Sequence, residues 1–199
     1  VAVTGALAVN NARAGDDIDF LVVTAPHRVW LARALCVALV RAARLGGVRL
    51  CPNYVLAETR LEQSPRNLYT AHEIAQMVPL SGRRLYTALR LANRWTRAFL
   101  PQAWGPLQVE PDVAPGGRRW LADLGERWLA GRLGGALEGW ERVRKQRKFS
   151  RAAQASSAAL LDADHVKGHF EDHGAWVLAE YARRLADHGL RPDPPDRAE

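Results

Sequence analysis

The sequence predicts an α/β (α+β) fold: a small mixed sheet with flanking helices, followed by a helical C-terminal region. Three observations carry this. Asp17-Ile18-Asp19 leads into the apolar run Phe20-Leu21-Val22-Val23, which reads as a strand. Residues 28–45 are apolar on most faces and end at Gly46-Gly47, which reads as a long helix packed on the sheet. Residues 48–56 then read as a second strand, and strand, helix, strand in that order marks an α/β core.

The remaining elements follow in chain order. Val1-Ala2-Val3-Thr4 reads as a short strand that stops at Gly5, and the residues after Gly5 look helical. Thr24-Ala25-Pro26 makes a turn, with Pro26 suited to an early helical position. Residues 59–61 are expected to extend the sheet. Thr70 with Glu73 three residues on fits a capping box, so a short helix runs to Val78 and stops before Pro79. Ser81-Gly82-Arg83-Arg84 opens another helix, through Asn93, Trp95 and Phe99 to Leu100, ended by Pro101. Residues 102–117 are rich in Pro and Gly and read as a linker.

Residues 118–133 carry Trp120, Leu121, Leu124, Trp128 and Leu129 at helical spacing. Gly134-Gly135 is expected to interrupt that helix, and residues 136–149 to resume it with Leu137, Trp140 and Val143 inward. Residues 152–159 read as a loop of small side chains. Residues 174–188 form the last helix, with Trp176, Val177, Tyr181 and Leu185 on one face. Residues 191–199 are expected to be a disordered tail. The domain map is therefore a core at 1–101, a linker at 102–117 and a helical region at 118–190.

At 199 residues the chain can bury one real core or two small ones. Hydrophobic content of 48% and charged content of 25% are ordinary for a soluble globular protein. The net charge is +7, and only Lys145, Lys148 and Lys167 among the 28 basic residues are lysine. Arginine over lysine, with abundant alanine, looks like the codon bias of a GC-rich bacterium. That bias does not explain the positive balance, which favours polyanions such as nucleotides or RNA. Cys36 and Cys51 each sit in an apolar run and read as small buried hydrophobes, neither a disulfide nor a metal pair. A reducing cytoplasm fits. No signal peptide is visible, and the most apolar window, 29–40, contains Arg33 and is far short of a membrane span.

Asp17 and Asp19 are the leading candidates for chemistry. A strand's period of two puts them on one face. Mg²⁺ (or Mn²⁺) held by one or two carboxylates plus substrate phosphates is the usual arrangement for phosphoryl chemistry. Asp16 falls on the other face. Gly5 lets backbone approach a ligand closely, and the helix after it would aim N–H groups at a phosphate. Asn10 and Asn11 join that candidate cradle. Lys167 is placed to reach a phosphate. His72 is a candidate cleft residue, with Glu73 most simply a cap. His165, His169 and His173 recur at i, i+4, i+8, which on one helix would share a face, although Gly168 interrupts it. Basic residues from Arg142 to Lys148, flanked by Trp140 and Phe149, suit RNA, and equally a solvated helix end favoured by the dipole.

A strand, a Gly-containing turn, a short helix and Asp-x-Asp on the next strand resemble the polymerase β-like nucleotidyltransferase superfamily. The wording NLYTAHEIAQMVPL followed by ANRW and FLP is similar to a group of bacterial nucleotidyltransferase-domain proteins. The resemblance covers roughly residues 3–100. It implies transfer of a nucleoside monophosphate from an NTP to an acceptor (RNA, protein or small molecule), with Mg²⁺ on Asp17 and Asp19. It also implies a helix before the first strand, so the numbered chain is expected to lack its natural N-terminus. Two residues depart from the pattern. The usual Gly-Ser is Gly5-Ala6, without a hydroxyl for phosphate. The usual third carboxylate falls at Asn53, with Glu58 a poor geometric substitute. These departures favour an alternative, a catalytically degenerate fold that binds a nucleotide, RNA or a protein. An antitoxin that modifies a toxin protein is a third reading.

Overall fold

Two turns of backbone logic set the architecture: a parallel strand pair needs a crossover helix, and the crossover helix needs something to cover it. The computed structural model describes residues 1–103, 119–154, 160–167 and 173–191. Strand β1 (Ala2–Val3) enters a one-turn helix, α1 (Gly5–Ala8). Strand β2 (Ile18–Thr24) is followed by the crossover helix α2 (Val29–Leu45) and by strand β3 (Leu50–Ala57), parallel to β2. Then come α3 (Leu68–Gln76), β4 (Val78–Pro79), α4 (Arg83–Ala92) and a 3-10 turn at Arg94–Ala98. Helices α5 (Arg119–Ala130) and α6 (Arg132–Gln154) precede strands β5 (Leu160–Leu161) and β6 (His165–Lys167), and α7 (His173–Asp187) is last. The six strands form one mixed sheet in the order β4-β1-β2-β3-β6-β5.

Helices cover both faces. On one, Leu21, Tyr54 and Leu56 of the sheet pack with Ile74 of α3, Met77, and Tyr86 and Leu89 of α4. On the other, Val55, Ala57 and Val166 pack under Val29 and Trp30 of α2, which are completely buried. Only the first turn of α2 is buried in this way. Leu35 and Leu39, one and two turns on, are more than half exposed, so the helix is less enclosed than its composition suggests.

A buried carboxylate holds α2 in place. Glu138 of α6 accepts hydrogen bonds from the backbone N–H groups of Trp30 (3.1 Å) and Leu31 (2.6 Å). These are donors that no carbonyl of α2 can satisfy, and the helix dipole favours a negative charge there. Arg28, the N-cap residue of α2, returns the arrangement. Its guanidinium donates to the Leu129 (3.0 Å) and Ala130 (2.7 Å) carbonyls that end α5. The Trp30 indole N–H donates to the Asp162 carbonyl at 2.7 Å.

Several elements differ from their sequence expectation, each for a local reason. The region after residue 118 is not wholly helical: β5 and β6 complete the same sheet as the N-terminal strands, through β6 pairing with β3. Residues 104–118, nearly all of the expected linker, lie outside the described residues, as do 155–159 of the expected loop and 192–199 of the expected tail. Gly134-Gly135 does not interrupt α6. A Cβ on Gly134 would lie 1.8 Å from the Leu129 carbonyl oxygen, so the glycine lets α6 start against the end of α5. Asn67, not Thr70, caps α3: its side chain accepts from the Thr70 N–H, and the helix begins earlier than the Thr70–Glu73 pairing implies. Val78–Pro79 is an edge strand, where proline is tolerated because its missing donor faces no partner. Residues 59–61 add no strand. The helix after Gly82 ends at Ala92, because the fully buried Asn93 turns its side chain to the Gln63 N–H and to the Leu61 and Leu89 carbonyls.

Replacing Glu138 with alanine leaves two buried N–H groups without a partner, which costs about 2–3 kcal/mol of stability. Glu138→Gln keeps an acceptor and is expected to cost about half as much. Urea denaturation of the two variants checks both the size and the order of the losses.

Candidate functional site

The face of the sheet that packs on α3 also carries Asp19. Residues 19, 21 and 23 of β2 alternate onto that face, where Leu21 and Val23 join the core, so Asp19 lies at the strand's open end beside them. Asp17 precedes the strand and is exposed. The Cys51 thiol lies in register with Asp19 on β3 and senses both acids. Burial first, then the Asp19 carboxylate and its hydrogen bond, then Asp17, push that thiol up to about 12. Both carboxylates act on this one thiol, Asp19 more strongly than Asp17.

Gly5 meets Asp19 directly. The Thr4 N–H donates to the Asp19 carbonyl at 3.0 Å, which sets the turn against β2. Gly5 has φ +66°, a left-handed conformation, and a Cβ built there would lie 2.4 Å from Asp19 Oδ2. The position requires glycine twice over, for its backbone and for its missing side chain. Ala6 is half-buried in the short helix, while Asn10 and Asn11 are exposed beyond its end. Asn10 adopts φ +55° and the Asn11 N–H donates to the Ala6 carbonyl, so both serve the turn.

The third position is occupied by a bulge. Phe20 pairs with Pro52, but Leu21 pairs with Tyr54, so Asn53 is an extra residue in β3. Pro52 lacks a donor, and bulges are where a strand tolerates that. The bulge puts Asn53 and Tyr54 beside the same pocket, of about 30 Å³, lined also by Thr4, Gln63, Thr70, Glu73 and Lys167. Thr4 Oγ1 and Asn53 Oδ1 are buried there without hydrogen-bond partners. Glu58 is excluded by direction: β3 runs parallel to β2, so Glu58 follows its far end, roughly 20 Å from Cys51 at strand rise.

Lys167 reaches this face from β6, paired with Tyr54, with its Nζ 5.8 Å from the Tyr54 ring centre. Sequence reasoning places it in a helical region; the pairing of β6 with β3 is what brings it in. Glu73 is the residue that reasoning missed. It is not a cap: its Oε1 accepts from the Tyr69 hydroxyl at 3.2 Å. Burial first, then Glu73 and, last, Asp19 raise the Tyr69 phenol, so this ring lies within reach of both acids. His72 is exposed and bonds to Gln76 instead of lining the pocket. The histidines do not share a helix. His165 is in β6, bonded through Nδ1 to Asp162, and His173 opens α7, where its ring stacks on Trp176. His169 lies outside the described residues.

In α6, Arg144 pairs with Glu141 and lies over Trp140, 5.0 Å from its ring centre. Trp140, expected inward, is 62% exposed, as are parts of Leu137 and Val143.

No known relative decides the reading. Comparisons with protein-family models, with curated proteins and with solved structures found no match.

Among the described residues, no group of three or more His, Cys, Asp or Glu is arranged to hold a metal ion. No helix among them is long and apolar enough to cross a membrane. Asp17 is paired with Arg49 at 3.0 Å, with both side chains about half exposed. Such a pair contributes little to stability and yields readily to a competing cation. The oxygen donors of Asp17 and Asp19, with no side chain on Gly5 beside Asp19, are of the kind that fits a hard cation completed by phosphate oxygens and water.

The raised Cys51 thiol gives a direct check on this geometry. At pH 8 its alkylation by iodoacetamide is expected to be about a hundredfold or more slower than that of a free thiol. Asp19→Asn removes the charge that acts on it and should raise the rate. Fast alkylation in the wild type would contradict the packing of Cys51 on Asp19.

Proposed function

We propose that the chain transfers a nucleoside monophosphate from an NTP to an acceptor, with Asp17 and Asp19 holding Mg²⁺ or Mn²⁺. The observation that carries this is the contact of Asp19 with the Gly5 turn, with a second carboxylate, Asp17, two residues before it. Asp17 and Asp19 would hold the cation, and the turn at Gly5 would admit phosphate without a side chain in the way. The bound cation would supply neutralisation of the triphosphate and of the charge that develops on transfer. The protein's own part is to fix the α-phosphate in line with the acceptor and to keep that geometry between sheet and helices. Lys167, on the same face, would meet phosphate or acceptor at the pocket rim.

A second reading is favoured by two residues. Ala6 offers phosphate no hydroxyl, and Asn53 puts an amide where the superfamily has an acid. A protein so altered would bind a nucleotide, RNA or a protein partner without transfer.

Calorimetry with Mn²⁺ and ATP tests the site. Asp19→Asn is expected to abolish metal-dependent binding, and unchanged binding would overturn the assignment. Arg49→Ala frees Asp17 from its ion pair and is expected to tighten Mn²⁺ binding by about two- to fivefold, in keeping with the small worth of exposed pairs.

A further inference from the structure

The pocket between β3 and α3 has a chemistry of its own. It lies two residues along β2 from Asp19, at Leu21, and one residue from Gly5, at Thr4. Thr4 is 7% exposed, and its Oγ1 is without a partner. Asn53 Oδ1, aimed into the same pocket, is also unpartnered. Buried oxygens in this state call for partners, a donor for the Asn53 amide oxygen and a donor or an acceptor for the Thr4 hydroxyl, because leaving them bare costs free energy. Glu73 and Lys167 stand at the same pocket, one an anion and one a cation.

These features select a ligand class. A volume of about 30 Å³ admits one or two non-hydrogen atoms. A carboxylate or phosphate brings no proton for Asn53 Oδ1 and meets Glu73. An ammonium group brings protons but meets Lys167. A neutral hydroxyl oxygen can accept from the Thr4 hydroxyl, has one proton to give to a single acceptor at the pocket, and meets neither charge unfavourably.

We propose that this pocket receives the attacking hydroxyl of the acceptor, and that Glu73 on α3 takes its proton. The proposal rests on the nucleotidyl-transfer reading. The hydroxyl oxygen forms a bond to the α-phosphorus of the NTP. The bond from that phosphorus to the bridging oxygen breaks, and pyrophosphate leaves with its electron pair. The hydroxyl proton passes to the Glu73 carboxylate and from there to solvent. The strand position left without an acid at Asn53 is thus served from the neighbouring helix, since the amide of Asn53 does not take the proton. The Tyr69 hydroxyl, one helical turn before Glu73, donates to that carboxylate and holds it in place.

Two measurements on the full chain test this. In the first, the chain carries ¹³C at its glutamate carboxyls and is titrated with Mn²⁺ and a non-hydrolysable ATP analogue. The Glu73 signal, assigned by its loss in Glu73→Gln, is expected to broaden away, while that of Glu58 at the far end of β3 stays sharp. A sharp Glu73 signal under binding that depends on Asp19 overturns the proposal and leaves the nucleotide site standing. Binding that does not depend on Asp19 overturns both. The second measurement follows ATP labelled at the α-phosphorus, with glycerol and ethylamine as competing acceptors. Transfer to glycerol is expected, reduced about 10²–10⁴-fold in Glu73→Gln with nucleotide affinity retained, and partly restored by formate or by Glu73→Asp. Transfer only to ethylamine, transfer to neither, or undiminished transfer in Glu73→Gln overturns the assignment. Label found only as free nucleoside monophosphate means that the pocket takes water alone, and overturns the acceptor class.

Discussion

The fold depends on one buried carboxylate. Glu138 satisfies the first free N–H groups of α2, and Arg28 at the same helix end satisfies the last carbonyls of α5. A helix end in a protein interior has orphan polar groups that water cannot reach, so its position is tolerable only where partners exist. Here those partners come from residues a hundred positions later. That contact fixes α2 across the sheet, and α2 is the crossover that makes β2 and β3 parallel. The register of those strands in turn sets Asp19 beside Cys51, so the acidic pair owes its surroundings to a glutamate on the opposite face.

The bulge in β3 adds a second constraint. Strict alternation along β3 would send Tyr54 to the face opposite Asn53. The extra residue resets the period, and both reach the pocket on the α3 side. The apolar core and the pocket are then adjacent on one face, with Leu21, Tyr54, Ile74 and Met77 belonging to both. Stability and chemistry share residues here: Tyr54 belongs to the core cluster and also carries the Lys167 ammonium against its ring.

Much of this was legible in local pattern. Period-two alternation placed Asp19 on the strand face with Leu21 and Val23, a long apolar run with terminal glycines marked α2, and the order of elements marked the class. What was not legible is non-local or has a rival local reading. His165-Val166-Lys167 spaces its histidine as a helix would, and only pairing with Tyr54–Leu56 makes it a strand. Thr70 and Glu73 imitate a capping box, which hid both the true cap, Asn67, and the bond of Glu73 with Tyr69. Asn67 preceding Thr70 by three residues was the available signal. Pro52 inside a strand was the signal for the bulge, since a proline there has no ladder bond to give.

The place of β6 also bears on how the chain is made. Strand β3 has β2 on one side and β6 on the other, and β6 is contributed by residues 165–167. On the ribosome, β2, α2 and β3 emerge long before that last partner. Until Lys167 is translated, the outer edge of Tyr54-Val55-Leu56 presents unpaired backbone and three buried-type side chains to any other nascent or unfolded chain. The α2 N-terminus waits in the same interval for Glu138. Vectorial synthesis therefore leaves the N-terminal half with an open edge and an uncapped helix at once. A chaperone that shields extended apolar segments would act on this protein during that window, and premature termination between β3 and β6 would yield a product bound for aggregation or proteolysis.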